Sequence, residues 1–315
     1  MTQRKIDPRL LQQLYRENRN IMQYLRDSEG NNEDAILASY DIQAGSYTAA
    51  MRNTEARQRN LVNTKKFAQM FDQLGCRSLL HGGTGEAKTI SHVVRQMKTQ
   101  PEQVYGFDIS LSRLLYGKKY AAQTGIEDIH FFLGSLKRIP VCDNAFDIVF
   151  TSHSVESNGG CEKSILQELY RVCRRYLILR EPSYELGNAK TREHILKHSY
   201  VQNIPGVLSQ LGYEVVEHRL FGDDENPHNQ SALTVIRKCQ ENADHEKFWQ
   251  MESGHPFVSP VSKAPLQFTK EAYYSATDCL VFPVLCGIPC LLADHGVFSS
   301  KYMQFAGTLG GFNRS

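Results

Sequence analysis

Apolar residues recur along this chain with two periods, and the change of period divides it. In "DPRLLQQLYRENRNIMQYLRD" (7–27), Leu10, Leu11, Leu14, Ile21, Met22 and Leu25 fall near helical spacing. Turn formers in "SEGNNED" interrupt the pattern. "AILASYDIQAGSYTAAM" follows, and "TEARQRNLVNTKKFAQMFDQLG" predicts another helix, stopped at Gly75. Residues 1–70 therefore predict a helical cap.

After Gly75 the period shortens. Seven apolar runs read as strands, at 77–82, 103–109, 129–134, 146–152, 175–181, 213–221 and 232–238. Helix-like segments separate the first six, most clearly 86–98, 111–123, 161–174 and 190–211. This alternation predicts an α/β domain over 71–240, with a doubly wound seven-stranded sheet. The loop "GDDENPHNQS" is too short for a crossover helix, so the last strand should run antiparallel. A polar linker, "KCQENADHEK", leads into 241–315, which holds the sole Trp, Trp249. That segment predicts a small β-containing unit.

The first strand runs into a glycine cluster, "RSLLHGGTGEAKTI" (77–90). Gly82, Gly83 and Gly85 permit a sharp turn and a close ligand approach. The second strand ends in Asp108, 23 residues after Gly85, where a carboxylate can accept from a ribose diol. The third glycine of a dinucleotide loop is missing, and Glu86 at the helix entrance would repel a pyrophosphate. Both features disfavour a nicotinamide oxidoreductase and suit a cationic ligand such as S-adenosylmethionine.

At this point residues 36–238 resemble the class I S-adenosylmethionine-dependent methyltransferases. "LLHGGTGEA" is similar to motif I: Gly83 and Gly85 match its first two glycines, His81 stands where an acid is usual, and Ala87 replaces the third glycine. "VYGFDIS" resembles motif II, with Asp108 as the ribose acid beside Ile109. Gly134, Ser135 and Leu136 lie where the family packs around adenine, with serine where a carboxylate is frequent. "NAFDIVFTSHSVE" matches the strand-four signature and brings in Thr151, and "RVCRRYLILREPSYE" resembles strand five. The resemblance implies a Rossmann-like sheet and S-adenosylmethionine as cofactor. Glu86 would then supply the charge that His81 lacks. Tyr40, Gln43 and Tyr47 resemble a cap folded over the cofactor, or else only pack.

The tail resembles the small Trm112-like domain, through "FPVLCGIPCLL" (282–292). Ser259 and Ser262 occupy the places of its first zinc cysteines, and hydroxyls do not replace thiolates on zinc. Cys286 and Cys290 alone do not complete a site, so no metal is expected.

Acceptors would enter past strands four and five. His153 is the candidate general base, with Glu156 to orient it or to cap the next helix. Glu181, Tyr184 and Glu185 are further candidates there, and Arg180 and His198 suit an anionic substrate. The expected activity is O-methylation of a small molecule or sugar by in-line displacement. Two alternatives stay open: methylation of RNA or protein with the tail as a built-in activator, and a non-catalytic protein that kept the fold.

Composition narrows the partners. A net charge of +2 over 315 residues gives no bulk attraction to nucleic acid or to an anionic membrane. No apolar run approaches the ~18 residues of a membrane span, and the N-terminus lacks a secretory signal. A cytoplasmic protein is expected, its eight scattered cysteines reduced, with a small-molecule acceptor as partner. Whether the tail packs on its own chain or makes a homodimer is open at this stage.

Overall fold

A computed structural model describes residues 7–29, 32–222, 226–238 and 254–306. The linker around 239–248 and Trp249 lie outside the described residues. Five helices come first: α1 (Pro8–Arg16), α2 (Ile21–Glu29), α3 (Glu33–Ile42), α4 (Ser46–Ala50) and α5 (Thr54–Leu74). Side chains at their entrances explain the starts. Asp7, Asn32 and Asn53 accept from Arg9, Ala35 and Ala56 N–H groups. Gly75 ends α5 with φ 66°, a left-handed turn that favours glycine.

The central domain follows in the order β1 (Ser78–Gly82), α6 (Lys88–Gln96), β2 (Gln103–Asp108), α7 (Leu111–Gln123), β3 (Ile129–Leu133), β4 (Phe146–Ser152), α8 (Glu162–Val172) and β5 (Cys173–Pro182). Then come α9 (Ala189–Lys197), α10 (Ile204–Gln210), β6 (Glu214–Leu220) and β7 (Ser231–Arg237). The sheet order is β3-β2-β1-β4-β5-β7-β6, and β7 runs antiparallel to both β5 and β6. All seven expected strands are present. One expected helix, 190–211, is two: Asn203 caps Gly206 N–H and Pro205 opens α10, so the chain restarts there.

Helices α5, α6 and α7 cover one face through Phe67, Phe71, Ile90, Val93 and Leu114. On the other face α8 and α10 bring Ile165, Leu169 and Leu208. No helix joins β3 to β4, which leaves that face of β2 and β3 without a helical cover. The tail fills the gap. Phe257 packs against Tyr105 and Phe132, and Tyr273, Phe282 and Leu291 join the same core.

The tail contains β8 (Gln267–Phe268), β9 (Ala272–Ser275), β10 (Leu280–Leu285), β11 (Ile288–Pro289), β12 (Val297–Phe298) and α11 (Tyr302–Phe305). It also protects the sheet edge at β3: Leu291 N–H donates to the Leu133 carbonyl at 2.9 Å. The packing is therefore on its own chain. Ser262, one of the two serines at the zinc-cysteine places, belongs to a hydrogen-bonded network: the Ser262 and Ser275 hydroxyls donate to Asp278 at 2.7 and 2.6 Å. These bonds tie two turns together, 259–262 and 275–278. Cys286 is exposed and Cys290 buried. Among the described residues no group of three His, Cys, Asp or Glu could hold a metal. None of the described helices is long and apolar enough to cross a membrane.

Candidate active site

The C-terminal ends of β1, β2, β4 and β5 open into a cavity of about 630 Å³, roofed by α3 and α4 and walled by α5. This is where ligands bind in open α/β sheets. The glycine loop forms its floor. Gly83 (φ 63°) and Gly85 (φ 56°) are left-handed, and a Cβ at Gly83 would stand 2.5 Å from that of Ser154. Asp108 accepts from Gly85 N–H at 2.8 Å and from Ser110 N–H at 3.0 Å. Burial raises its pKa, and these bonds oppose that shift.

Glu86 has a different partner from the one expected. Its carboxylate accepts from the N–H groups of Gly45 (2.9 Å), Tyr47 (3.3 Å) and Thr48 (2.6 Å), at the start of α4. Arg113 Nη1 meets it at 3.0 Å, and both side chains are buried. Glu86 thus fastens the cap to the loop. It is not a free charge waiting for an ammonium. Arg113 also donates to the Tyr40 carbonyl at 2.8 Å and lies under the Tyr40 and Tyr47 rings.

His81 stacks on Phe150 at 4.1 Å and bonds Thr84 Oγ1 through Nδ1 at 2.9 Å. Its Nε2 is buried and makes no hydrogen bond. Burial, with the nearby Lys88 charge, pushes the imidazole down to about 3, so it is neutral. The tautomer in which Nδ1–H donates to Thr84 leaves Nε2 as a bare acceptor at the cavity wall.

Beyond the fourth strand, His153 adopts φ 57°, a strained conformation for a non-glycine residue. Its Nδ1 meets Glu156 Oε2 at 2.9 Å and its Nε2 meets Ser231 Oγ at 2.9 Å. Glu181 holds this loop in place. Its carboxylate accepts from Thr151 Oγ1 (2.7 Å) and from the N–H groups of Ser154, Val155 and Glu156 (3.1, 3.2 and 3.1 Å). Burial raises its pKa. Its role here is to shape the loop that presents His153.

The cavity gathers Tyr40, Tyr47, His81, Gly83, Gly85, Glu86, Asp108, Ile109, Gly134, Leu136, His153 and Glu156. Gly82, Ser135 and Thr151 do not line it. Gly82 is buried in β1 and Thr151 faces Glu181. Ser135 acts through another residue: its hydroxyl donates to Glu33, which does line the cavity. Tyr184, Glu185 and His198 stand elsewhere, while Arg180 is in the wall. Sequence reasoning missed Glu33, Lys88 and Arg113, since each acts on a segment far from it along the chain. The acidic start of α3, Glu33 and Asp34, was the only signal for Glu33.

These residues fit S-adenosylmethionine. Asp108 retains acceptor capacity for the ribose, and Ile109, Leu136 and Gly134 offer an apolar slot for adenine. Glu33 supplies the carboxylate that position 135 lacks. The unpartnered Nε2 of His81 suits an ammonium donor, and no pyrophosphate site is built.

Residues 79–176 match a family model described as a methyltransferase domain. Solved structures are similar to parts of this chain at low identity. A sarcosine dimethylglycine methyltransferase assignment from Galdieria sulphuraria is 14% identical, with 58% of this chain and 87% of that one covered and a TM-score of 0.47. Magnesium protoporphyrin IX methyltransferase from Synechocystis, with bound S-adenosylhomocysteine, is 13% identical over 64% of this chain and 97% of that one, at 0.47. An O-methyltransferase assignment from Nostoc punctiforme is 13% identical, covers 64% and 60%, and scores 0.48. By this match residues 79–176 are a methyltransferase domain.

Proposed function

We propose that the protein methylates an oxygen of a small molecule or sugar by in-line displacement. The observation that carries this reading is the His153–Glu156 pair, 2.9 Å apart in the cavity wall. A hydroxyl acceptor needs a base, and an imidazole oriented by a carboxylate serves. When bound, the cofactor supplies an electrophilic methyl group on a sulfonium.

Asp108, His81 and Glu33 hold its polar ends, and the cap formed by α3 and α4 excludes water. Glu156 fixes the His153 tautomer with the proton on Nδ1. Nε2 then accepts the acceptor's hydroxyl proton once its bond to Ser231 opens. Glu181 keeps the strained loop in that pose. The test is methyl transfer to a panel of polyols and hydroxy acids with the wild type and His153→Ala. Loss of turnover with unchanged S-adenosylhomocysteine affinity supports a base. Equal turnover in the variant rejects it.

The tail's seat on β3 favours one second reading, a built-in activator for methylation of RNA or protein. Transfer to those polymers, with no small acceptor used, would support it.

A further inference from the structure

The methyltransferase resemblance puts an acid where this chain has His81, and His81 is neutral. A cation stands beside it. Lys88 opens α6, directly after the glycine loop, and lines the same cavity as His81, Gly83 and Gly85. The two side chains are near enough for the Lys88 charge to act on the His81 imidazole. Lys88 Nζ makes no hydrogen bond or ion pair among the described residues; it lies over the Tyr47 ring, 5.9 Å from its centroid. Helix α6 also starts without a side-chain cap, so its positive end adds to the Lys88 charge.

The carboxylates among the residues lining the cavity have partners of their own. Glu33 accepts from Ser135, Glu86 from Arg113 and α4, and Asp108 from Gly85 and Ser110, while Glu156 meets His153. Burial first, and then the Arg180 charge, push the Lys88 ammonium down to about 8, and the Glu86 charge opposes them from a distance. The side chain therefore keeps its proton at neutral pH.

These charges bear on one end of the cofactor. S-adenosylmethionine carries a sulfonium, an ammonium and a carboxylate. An acid at position 81 would hold the ammonium by its charge. A neutral imidazole offers the Nε2 lone pair alone, one hydrogen bond. The cation beside it repels the ammonium and attracts the carboxylate.

We infer that Lys88 binds the carboxylate of S-adenosylmethionine, so that this site anchors the methionine end by its anion rather than by its ammonium. The inference rests on the reading that the cavity binds this cofactor, and it makes Lys88 a selectivity residue. Decarboxylated S-adenosylmethionine, a dication without the anion, would be refused.

The test compares S-adenosylhomocysteine with its decarboxylated counterpart, S-adenosyl-3-thiopropylamine, which keeps the adenosine and the ammonium. Both are titrated by calorimetry into wild type, Lys88→Met and Lys88→Arg. Wild type should favour S-adenosylhomocysteine by at least about tenfold, the worth of one charge-assisted hydrogen bond. Lys88→Met keeps the apolar stem and should bind the two alike. It should lose about tenfold for S-adenosylhomocysteine and nothing for the amine, which also shows that its pocket is folded. Lys88→Arg should restore the preference. Wild type that binds the two ligands equally would overturn the inference. So would a Lys88→Met variant that keeps the preference, because another group would then read the carboxylate. A Lys88→Met variant that loses both ligands alike would also overturn it, reducing Lys88 to a support of the loop. Wild type that binds neither ligand at millimolar concentration would reject the cofactor reading itself, and the inference with it.

Discussion

Glu86 and Arg113 form a buried ion pair at 3.0 Å, and the pair joins three segments distant in sequence. Glu86 leaves the glycine loop, Arg113 sits in α7, and together they hold the backbone of α4 and Tyr40. The cap is therefore part of the site and closes it by charge-assisted bonds.

Glu86→Ala would leave Arg113 charged and buried, and three α4 N–H groups without an acceptor. Removing one partner of such a pair costs about 3–5 kcal/mol. The expected result is a cap that opens while the sheet stays folded. Limited proteolysis should cut within residues 7–53 faster than in wild type, and S-adenosylhomocysteine should bind more weakly. An unchanged cleavage pattern would contradict the role given to Glu86.

Glu33 is expected to recognise the exocyclic amine of adenine. Glu33→Gln can still accept there but loses the charge, and Glu33→Ala loses both. Glu33→Ala should weaken S-adenosylhomocysteine by about tenfold, the worth of one charge-assisted hydrogen bond. S-inosylhomocysteine, which lacks the amine, should bind wild type poorly and be indifferent to the change. Equal losses for both ligands would reduce Glu33 to a partner of Ser135.

His81 makes stability depend on pH. Its folded value lies near 3, below the ordinary 6.5 of the unfolded chain. Below the ordinary value the unfolded state takes a proton that the native state refuses. Stability is thus full above about pH 6.5 and falls as pH drops toward 3, by at most about 1.4 kcal/mol per unit. Around His81 stand Thr84, Phe150 and the Lys88 cation; burial and the Lys88 charge outweigh what a hydroxyl and a ring face offer an imidazolium. His81→Gln should flatten the dependence of Tm on pH between those limits. A slope equal to wild type would show that other groups set it.

The tail should unfold with the sheet. Phe282 is fully buried in the core that β4, β5 and α8 share. Phe282→Ala should cost about 3–5 kcal/mol and lower a single thermal transition. A separate early transition would mean that the tail is an independent unit.

Most of the fold was legible because its elements announce themselves locally. β2 and β4 begin where the sequence places them, α7 matches its predicted span, and Gly75 ends α5 as read. The glycine turn and Asp108 were legible for the same reason. What the sequence hid are partnerships across the chain. Glu86 looked like an ammonium partner, but its bonds to residues 45–48 and 113 are visible only after folding. Thr151 looked like a ligand residue, and the pleat turned it toward Glu181. Helix-like segments were expected between all of the first six strands, but none joins β3 to β4, and the packing of Phe257 and Phe282 fills that place.

The central claim is that this cavity binds S-adenosylmethionine through Asp108. Calorimetric titration with S-adenosylmethionine and S-adenosylhomocysteine, for wild type and Asp108→Ala, tests it most directly. The account predicts saturable binding to wild type and a loss of at least about tenfold in the variant. Wild-type protein that binds neither ligand at millimolar concentration, or a variant that binds both equally well, would contradict it.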